Sequence, residues 1–422
     1  MSIKAAIKKN KMDVFRRLYI KRRIAGEYEA DWERIDNKYI INFGSVTYAI
    51  DDIKVNFIKF SGMKFTVDNS AGKFSNINEN KSLFYGATSI YKTMVKLEAG
   101  YDYNDVEYPT STTLYIGLIG EDYKYPESSR VQFSTKHLSS IFDEFPADQL
   151  TNMNVTLTAS EIITKIRDHE DSSNTAIFQK YITTAAWHFS TTTNPYLFAT
   201  NSALEGMTCW ELLKNLAEAE NKVCYISTDG EFYFYPKTTT DSVATYHLSG
   251  VNDDDRTWGH NIISNVEVDP AIRKIYNRVR AKHDEADTSS SYYIKKESWN
   301  WNDSTSSFIY GVRTYDFENI WMNSATAQTI ADSLFDEYHF PKNEISVKVK
   351  FVPQLFINDR VSMTYRTQDI QGDYLWGYFD WGAGVWGEAK GYNIDIDNQD
   401  YRIISMKHNI NKFSTDLILR EI

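Results

Sequence analysis

The stretch Gly206-Met207-Thr208-Cys209-Trp210-Glu211-Leu212-Leu213-Lys214-Asn215-Leu216-Ala217, continued through residues 218–236, decides how the rest of the chain is read. Thr208 and Glu211 have the spacing of a capping box, which predicts a helix start. Cys209, Leu212, Leu213 and Leu216 recur at i, i+3, i+4 and i+7, giving the helix one apolar face. Asn221 marks its stop, because Asn tolerates the left-handed backbone conformation. Two β-rich runs follow, 223–226 and 231–235, joined through Thr228-Asp229-Gly230. An Asp-Gly pair between such runs predicts a hairpin, and Pro236 closes its second strand. Nothing in this unit is catalytic. It reads as a rigid wedge of helix packed on hairpin.

Working outward, the pattern turns mostly to strands. Period-two alternation appears at Ile53/Val55/Phe57, Met63/Phe65/Val67, Val95/Leu97 and Leu114/Ile116/Leu118, separated by turns rich in Asn, Ser, Gly and Lys. That spacing suits a small antiparallel barrel or sandwich over 31–148. A mixed region, 149–255, adds a helix over 160–168 introduced by a second capping box, Thr158/Glu161. The remaining residues, 256–422, are again strand-rich around a helix over 325–338, with Ser324 as its cap. The expected fold class is therefore β-rich α+β: two small antiparallel β-barrel domains with an intervening mixed helix–hairpin domain.

Composition bounds the function. The chain has 422 residues, 42% hydrophobic and 24% charged, which fits soluble globular domains. Aromatics reach 15%, with 29 Tyr, as expected of β-rich domains with broad contact surfaces. Only two cysteines are present, Cys209 and Cys224, too few for a disulfide framework and consistent with reduced core thiols. No apolar run approaches the roughly 18 residues of a membrane span. Charge is uneven: residues 1–24 hold Lys4, Lys8, Lys9, Lys11, Arg16, Arg17, Lys21, Arg22 and Arg23 against Asp13, a net of +8. With −11 overall, the remainder carries −19. Residues 1–30 are thus expected to be a basic N-terminal arm on an acidic body, either docking on an acidic partner or neighbouring subunit, or merely solvated. Val14, Phe15 and Leu18, with Ile7, fit one helical face.

Another feature stands out at 371–391, where Trp376-Gly377, Trp381-Gly382 and Trp386-Gly387 repeat every five residues. The tryptophans either cover the last barrel or form an exposed interaction loop. Enzyme motifs are missing: no G-x-S-x-G elbow, no H-E-x-x-H zinc site, no P-loop. The eight histidines are scattered without metal-ligand spacing. Asp395, Asp397, Asn398 and Asp400 space oxygens like a calcium loop, but the glycine and distal glutamate are lacking, so a polar turn is the better reading. No catalytic residue, cofactor or metal is expected.

The order Gly-x-Thr-x-Trp-x-x-Leu-x-x-Leu-Ala, then an Asp-Gly hairpin with an aromatic second strand, resembles the hub proteins of phage tails and related injection machines. Two further regions share the resemblance. Val352-Pro353-Gln354-Leu355-Phe356-Ile357-Asn358-Asp359-Arg360-Val361 is similar to the hub phrase pro-x-leu-x-x-gly-asp-x-val, with Asn358 in the glycine place. Leu83-Phe84-Tyr85-Gly86 and Leu114-Tyr115-Ile116-Gly117-Leu118-Ile119 resemble the first hub barrel. The resemblance covers roughly 45–422. It implies a homotrimeric ring in the virion's tail tip, assembled in the bacterial cytoplasm, joining a hexameric tail tube to a threefold tip. Its implied partners are the tail tube or distal tail protein, the tape measure protein and tip or fibre proteins. DNA would pass the lumen without specific binding. The competing readings are a tail-tip adhesin binding host-surface glycans and a cell-wall hydrolase. Interaction residues expected on this basis are Trp376, Trp381, Trp386, Lys8, Lys9, Arg16, Arg17, Arg22 and Arg23.

Overall fold

The helix–hairpin unit forms as its sequence predicts. The helix runs Cys209–Ala219, with a reciprocal capping box at its start: the Thr208 hydroxyl accepts from the Glu211 N–H at 3.2 Å, and the Thr208 N–H donates to the Glu211 carboxylate at 2.9 Å. Asn221 ends it with a φ of 50°, the left-handed conformation expected. Lys222–Ile226 and Phe232–Pro236 then pair antiparallel across a turn in which Gly230 takes a φ of 84°. Trp187–Phe189 adds a parallel third strand. Under this sheet Phe142 is the hub of an aromatic core, its ring 4.8 Å from Phe178 and 5.7 Å from Trp210. Replacing Thr208 by Ala removes one side of the box and is expected to cost about 1 kcal/mol in denaturant unfolding. An unchanged midpoint would mean the helix end is held by packing alone.

The structure is a computed structural model. It describes residues 13–50, 58–75, 77–103, 106–108, 113–127, 129–153, 155–171, 176–197, 204–236, 244, 246–250, 261–263, 266–282, 293–297, 306–319, 321–322, 324–366 and 394–422. Among these, no helix is long and apolar enough to cross a membrane.

Two large sheets dominate. The first follows the path Glu33–Ile35, Asp13–Lys21, Met94–Tyr103, Thr113–Ile119, Arg130–His137, Lys64–Asp68, Ile40–Phe43, all antiparallel. Its two edge strands are consecutive in the chain, joined only through a short turn at Asn37–Tyr39, so the sheet must curl until its edges approach. The second follows Tyr246–Ser249, Arg360–Arg366, Asp395–Asn409, Ser414–Glu421, Glu344–Lys350, Glu267–Asp269. Residues 261–263 lie between its two ends: the Ile262 N–H donates to the Ser249 carbonyl at 3.1 Å, and the Ile263 N–H to the Lys348 carbonyl at 2.9 Å.

Three expectations are corrected here. The basic arm is not an arm beyond residue 13. Asp13–Lys21 is a strand paired along its whole length with Met94–Tyr103, and Leu18 and Ile20 are buried in the core. Val14 and Leu18, four apart, satisfy both a helical and an alternating pattern. Arg16 on the same face hid the alternation. The boundaries near 148 and 256 do not separate the sheets either. The strand Ser45–Ile50 leaves the first sheet's stretch of sequence and pairs with Asp395–Asn409 of the second, and buried residues from both sheets make one hydrophobic core. Lastly, the acidic run at 395–400 is strand, not turn; Asn398 takes a φ of 52° where its pairing with Arg360–Arg366 shifts register. No group of three metal-ligating side chains occurs among the described residues.

The helix Ser324–Tyr338 lies against a small sheet of Arg278–Lys282, Tyr293–Glu297 and Thr314–Glu318. It is also tied to the second sheet by charge. Glu337 receives the Arg402 guanidinium, and Arg420 sits 4.0 Å over the Tyr338 ring.

Candidate interaction surfaces and the seam between the sheets

The most heavily built region of the molecule is the seam where the sheets meet. Strand alternation at Val46, Tyr48 and Ile50 sends Tyr48 inward, and Ile58–Phe60 folds back antiparallel beside it. Tyr48 is fully buried, and its hydroxyl donates to the Leu114 carbonyl of the first sheet. Tyr101, on the first sheet, donates in turn to the Phe351 carbonyl of the second part. Burial pushes the Tyr101 hydroxyl above its ordinary range, so both phenols stay neutral and act as donors. Each buried hydroxyl has a partner, as a stable polar contact in a dry seam requires.

Asn411 locks the other side. Its side chain accepts from the Phe43 N–H at 3.3 Å, donates to the Phe43 carbonyl at 2.6 Å, and accepts from the Arg16 guanidinium at 3.1 Å. Arg16 also lies over the rings of Phe43 and Phe413, at 5.0 and 5.5 Å. An aromatic chain continues the seam into the helix–hairpin unit: His188, Tyr233 and Tyr225 stack across three strands, and Tyr225 faces Phe356 at 5.9 Å. Phe356 belongs to the turn whose Asn358 takes a φ of 77°, supplying the conformation for which the resembling phrase uses glycine. The Asp359 carboxylate accepts from the Phe356 N–H at 2.8 Å and tightens that turn.

The expected interaction residues fare differently. Arg16 is a seam residue. Arg22 is used internally, donating to the Glu29 carboxylate at 2.8 Å and to the Leu83 carbonyl at 2.8 Å. That pairing, above all its hydrogen bond, holds the Glu29 carboxyl below its usual range. Arg23 donates to the Gly26 carbonyl at 2.8 Å, and Arg17 lies over Phe15 at 4.6 Å. Each of these four arginines thus has a contact within the chain. Lys8, Lys9, Trp376, Trp381 and Trp386 lie outside the described residues. Cys209 and Cys224 are free and buried, and burial pushes the Cys209 thiol up to about 12, so neither is poised as a nucleophile. Local patterns gave no sign of Asn411, Tyr101, His137 or His408. Asn411, Tyr101 and His408 meet partners hundreds of residues away, and His137 meets Phe60 of a different strand, and no short motif encodes such pairings.

A cleft of about 400 Å³ opens beside the seam, lined by Lys59, Phe60, His137, Asp143, Trp210 and Lys214, among others. Within it Asp143 is held above the usual carboxylate range by burial, with Lys214 and Lys136 acting in the opposite direction.

No family model matches the chain, and no curated protein matches it. Solved structures do. A tail protein from Neisseria meningitidis MC58 aligns over 96% of both chains at a TM-score of 0.50 and 12% identity. The 43 kDa tail protein of prophage MuSo2 from Shewanella oneidensis aligns over 96% of this chain and 97% of its own, at a TM-score of 0.50 and 11% identity. The fold is that of a phage tail protein. A chain of the Francisella PdpA–VgrG complex in its lidded form also matches, at a TM-score of 0.50 and 11% identity. There 98% of this chain covers 53% of the longer one. The likeness to both tail proteins covers 96% of this chain.

Proposed function

We propose that the chain is a structural phage tail component, a baseplate hub at the tail tip of the virion. In this reading the two large sheets are two small barrels, and three copies close a ring with pseudo-sixfold character. The ring joins the hexameric tail tube to the threefold tip and passes the tape measure protein and DNA through its lumen. Its neighbours are the tail tube or distal tail protein and the tip or fibre proteins. The role is mechanical rather than catalytic.

The observation that carries this reading is the end-to-end likeness to phage tail proteins. The curled first sheet, with consecutive edge strands, and the bridging bonds of residues 261–263 in the second support the barrels. The shared seam suits a ring component, because a rigid unit transmits load without hinging between its halves. The segment 371–391 is proposed as a contact to another tail protein, since three tryptophans on a free loop would expose apolar area that soluble proteins hide.

Native mass measurement and tail assembly test this together. The full chain is expected to form a species of three times 48.9 kDa and to be incorporated into tails. Replacing 371–391 by a short Gly-Ser linker is expected to keep the fold and block incorporation. A strictly monomeric chain that never enters tails would sink the hub reading. Unfolding on loop replacement would instead assign the tryptophans to the core.

A further inference from the structure

The hairpin of Ser45–Ile50 and Ile58–Phe60 is gripped from both sides by buried histidines. His137 belongs to the first sheet; its ring stacks on Phe60 with centroids 4.1 Å apart and planes 4° from parallel. His408 belongs to the second sheet, where it is the register partner of Val46, and its ring lies 5.7 Å from Tyr48. Tyr48 and Phe60 are themselves 5.1 Å apart, so the four rings form one continuous row across the seam. We propose that this hairpin is an acid-released latch between the two large sheets, with His137 and His408 as its proton-sensing residues.

Both histidines are held alike. The Nδ1 of His137 faces the Ser139 hydroxyl at 3.1 Å and accepts from the Ser139 N–H at 3.3 Å; the Nδ1 of His408 faces the Thr415 hydroxyl at 3.0 Å. Each Nε2 is buried and has no hydrogen-bond partner among the described residues. Since Nδ1 of His137 accepts, its neutral ring carries the proton on Nε2, a buried donor without an acceptor. That is a cost a phenyl ring of similar shape would avoid. The imidazoles therefore bring one property that Phe lacks, the capacity to take a second proton.

The surroundings offer that proton little welcome. His137 shares the cleft with Lys59 from the hairpin, Lys136 from its own strand, Lys214 from the helix Cys209–Ala219 and Asp143, and its ring lies 5.8 Å from that of Tyr115 on the adjacent strand. His408 meets Tyr48 from the hairpin, Phe351 and Thr415, with Lys407 and Asp416 paired beside it and Asp229 within electrostatic reach of Tyr48. Neither ring has a carboxylate hydrogen-bond partner among the described residues. Burial holds both imidazoles near 3, far below the value of about 6.5 for an exposed histidine. A released ring therefore binds a proton more readily than a clamped one. The latch is fully stable above about pH 6.5 and weakens progressively as pH falls toward 3. At pH 5 each histidine disfavours the closed state by about 30-fold, and two acting together by about 1,000-fold. Among the described residues the hairpin joins the second sheet through one short ladder, to residues 405–409, so it opens more readily than the sheets that flank it.

Hydrogen exchange on the full chain at pH 7 and pH 5, corrected for intrinsic rates, tests the latch. Peptides covering 45–50 and 58–60 are expected to lose protection by at least about 100-fold at pH 5, while those covering 94–103 keep theirs. The H137F/H408F double variant is expected to keep hairpin protection at both pH values. H137Q and H408Q, made singly, give the same readout with a polar, non-titrating side chain should the double variant not fold. Unchanged hairpin protection in the unmodified chain would overturn the proposal. So would equal loss in the variants, or loss of the hairpin only together with both sheets.

Discussion

Removal of residues 1–24 is expected to abolish soluble folded protein, not merely to weaken assembly. The truncation deletes Asp13–Lys21, which lies inside the first sheet between Glu33–Ile35 and Met94–Tyr103. Taking it out leaves two strands with unpaired backbone groups and strips Leu18 and Ile20 from the core, both 0% exposed. Each such side chain, cut to Ala, costs about 2–5 kcal/mol, a large share of the roughly 5–15 kcal/mol that holds a domain folded. The Arg16 contact to Asn411 is lost as well, and with it one tie across the seam. Size-exclusion chromatography and circular dichroism of the truncated chain are the check. A monodisperse product with unchanged strand content would show that the first strand is dispensable.

The second large effect is expected at Glu337. Its carboxylate pairs with Arg402 and lies 4.0 Å from Arg420, whose side chain is only 4% exposed. Arg420 is further held by the Tyr338 ring and by Glu344 at 3.7 Å, and Glu344 in turn receives Lys274 at 2.7 Å. Glu337→Ala leaves two arginines together in a half-dry site with one carboxylate fewer. Breaking a buried pair from one side costs about 3–5 kcal/mol, because the remaining charge is stranded. Replacing the partners together by apolar residues, as in Glu337→Met with Arg402→Met, is expected to recover most of that loss. Urea unfolding of the single and double variants reads both effects. A single variant within about 0.5 kcal/mol of the parent would show the network to be solvated and weak.

What the sequence made legible follows from range. The two capping boxes, the Asp-Gly hairpin and the alternation at Leu114, Ile116 and Leu118 are written within a dozen residues, and each formed where its pattern placed it. Asn358 kept the backbone conformation of the glycine it stands for, because Asn also tolerates a positive φ. The failures came where a local pattern was compatible with two periods or where the partner was remote. Val14 and Leu18 suit a helix and a strand equally, and only the neighbouring Met94–Tyr103 strand settles the matter. Alternation at Val46 and Tyr48 announces a strand but not which sheet it joins. The histidines of the seam carry no local signal, since what matters about them is the hairpin rings of Phe60 and Tyr48 that the fold sets between them.

That pairing bears on how the protein is made. Ser405 reaches the Tyr48 carbonyl from 357 residues away, through strands that align Ser45–Ile50 with 405–409. On the ribosome, Ser45–Ile50 emerges long before residues 405–409, so the strand edge that they pair with stays open in the meantime. The chain therefore cannot finish its first half and then its second, as a string of independent domains does. The closing of so long a loop is slow, and nascent chains that stall before residue 405 carry an open, apolar strand that invites pairing with other copies.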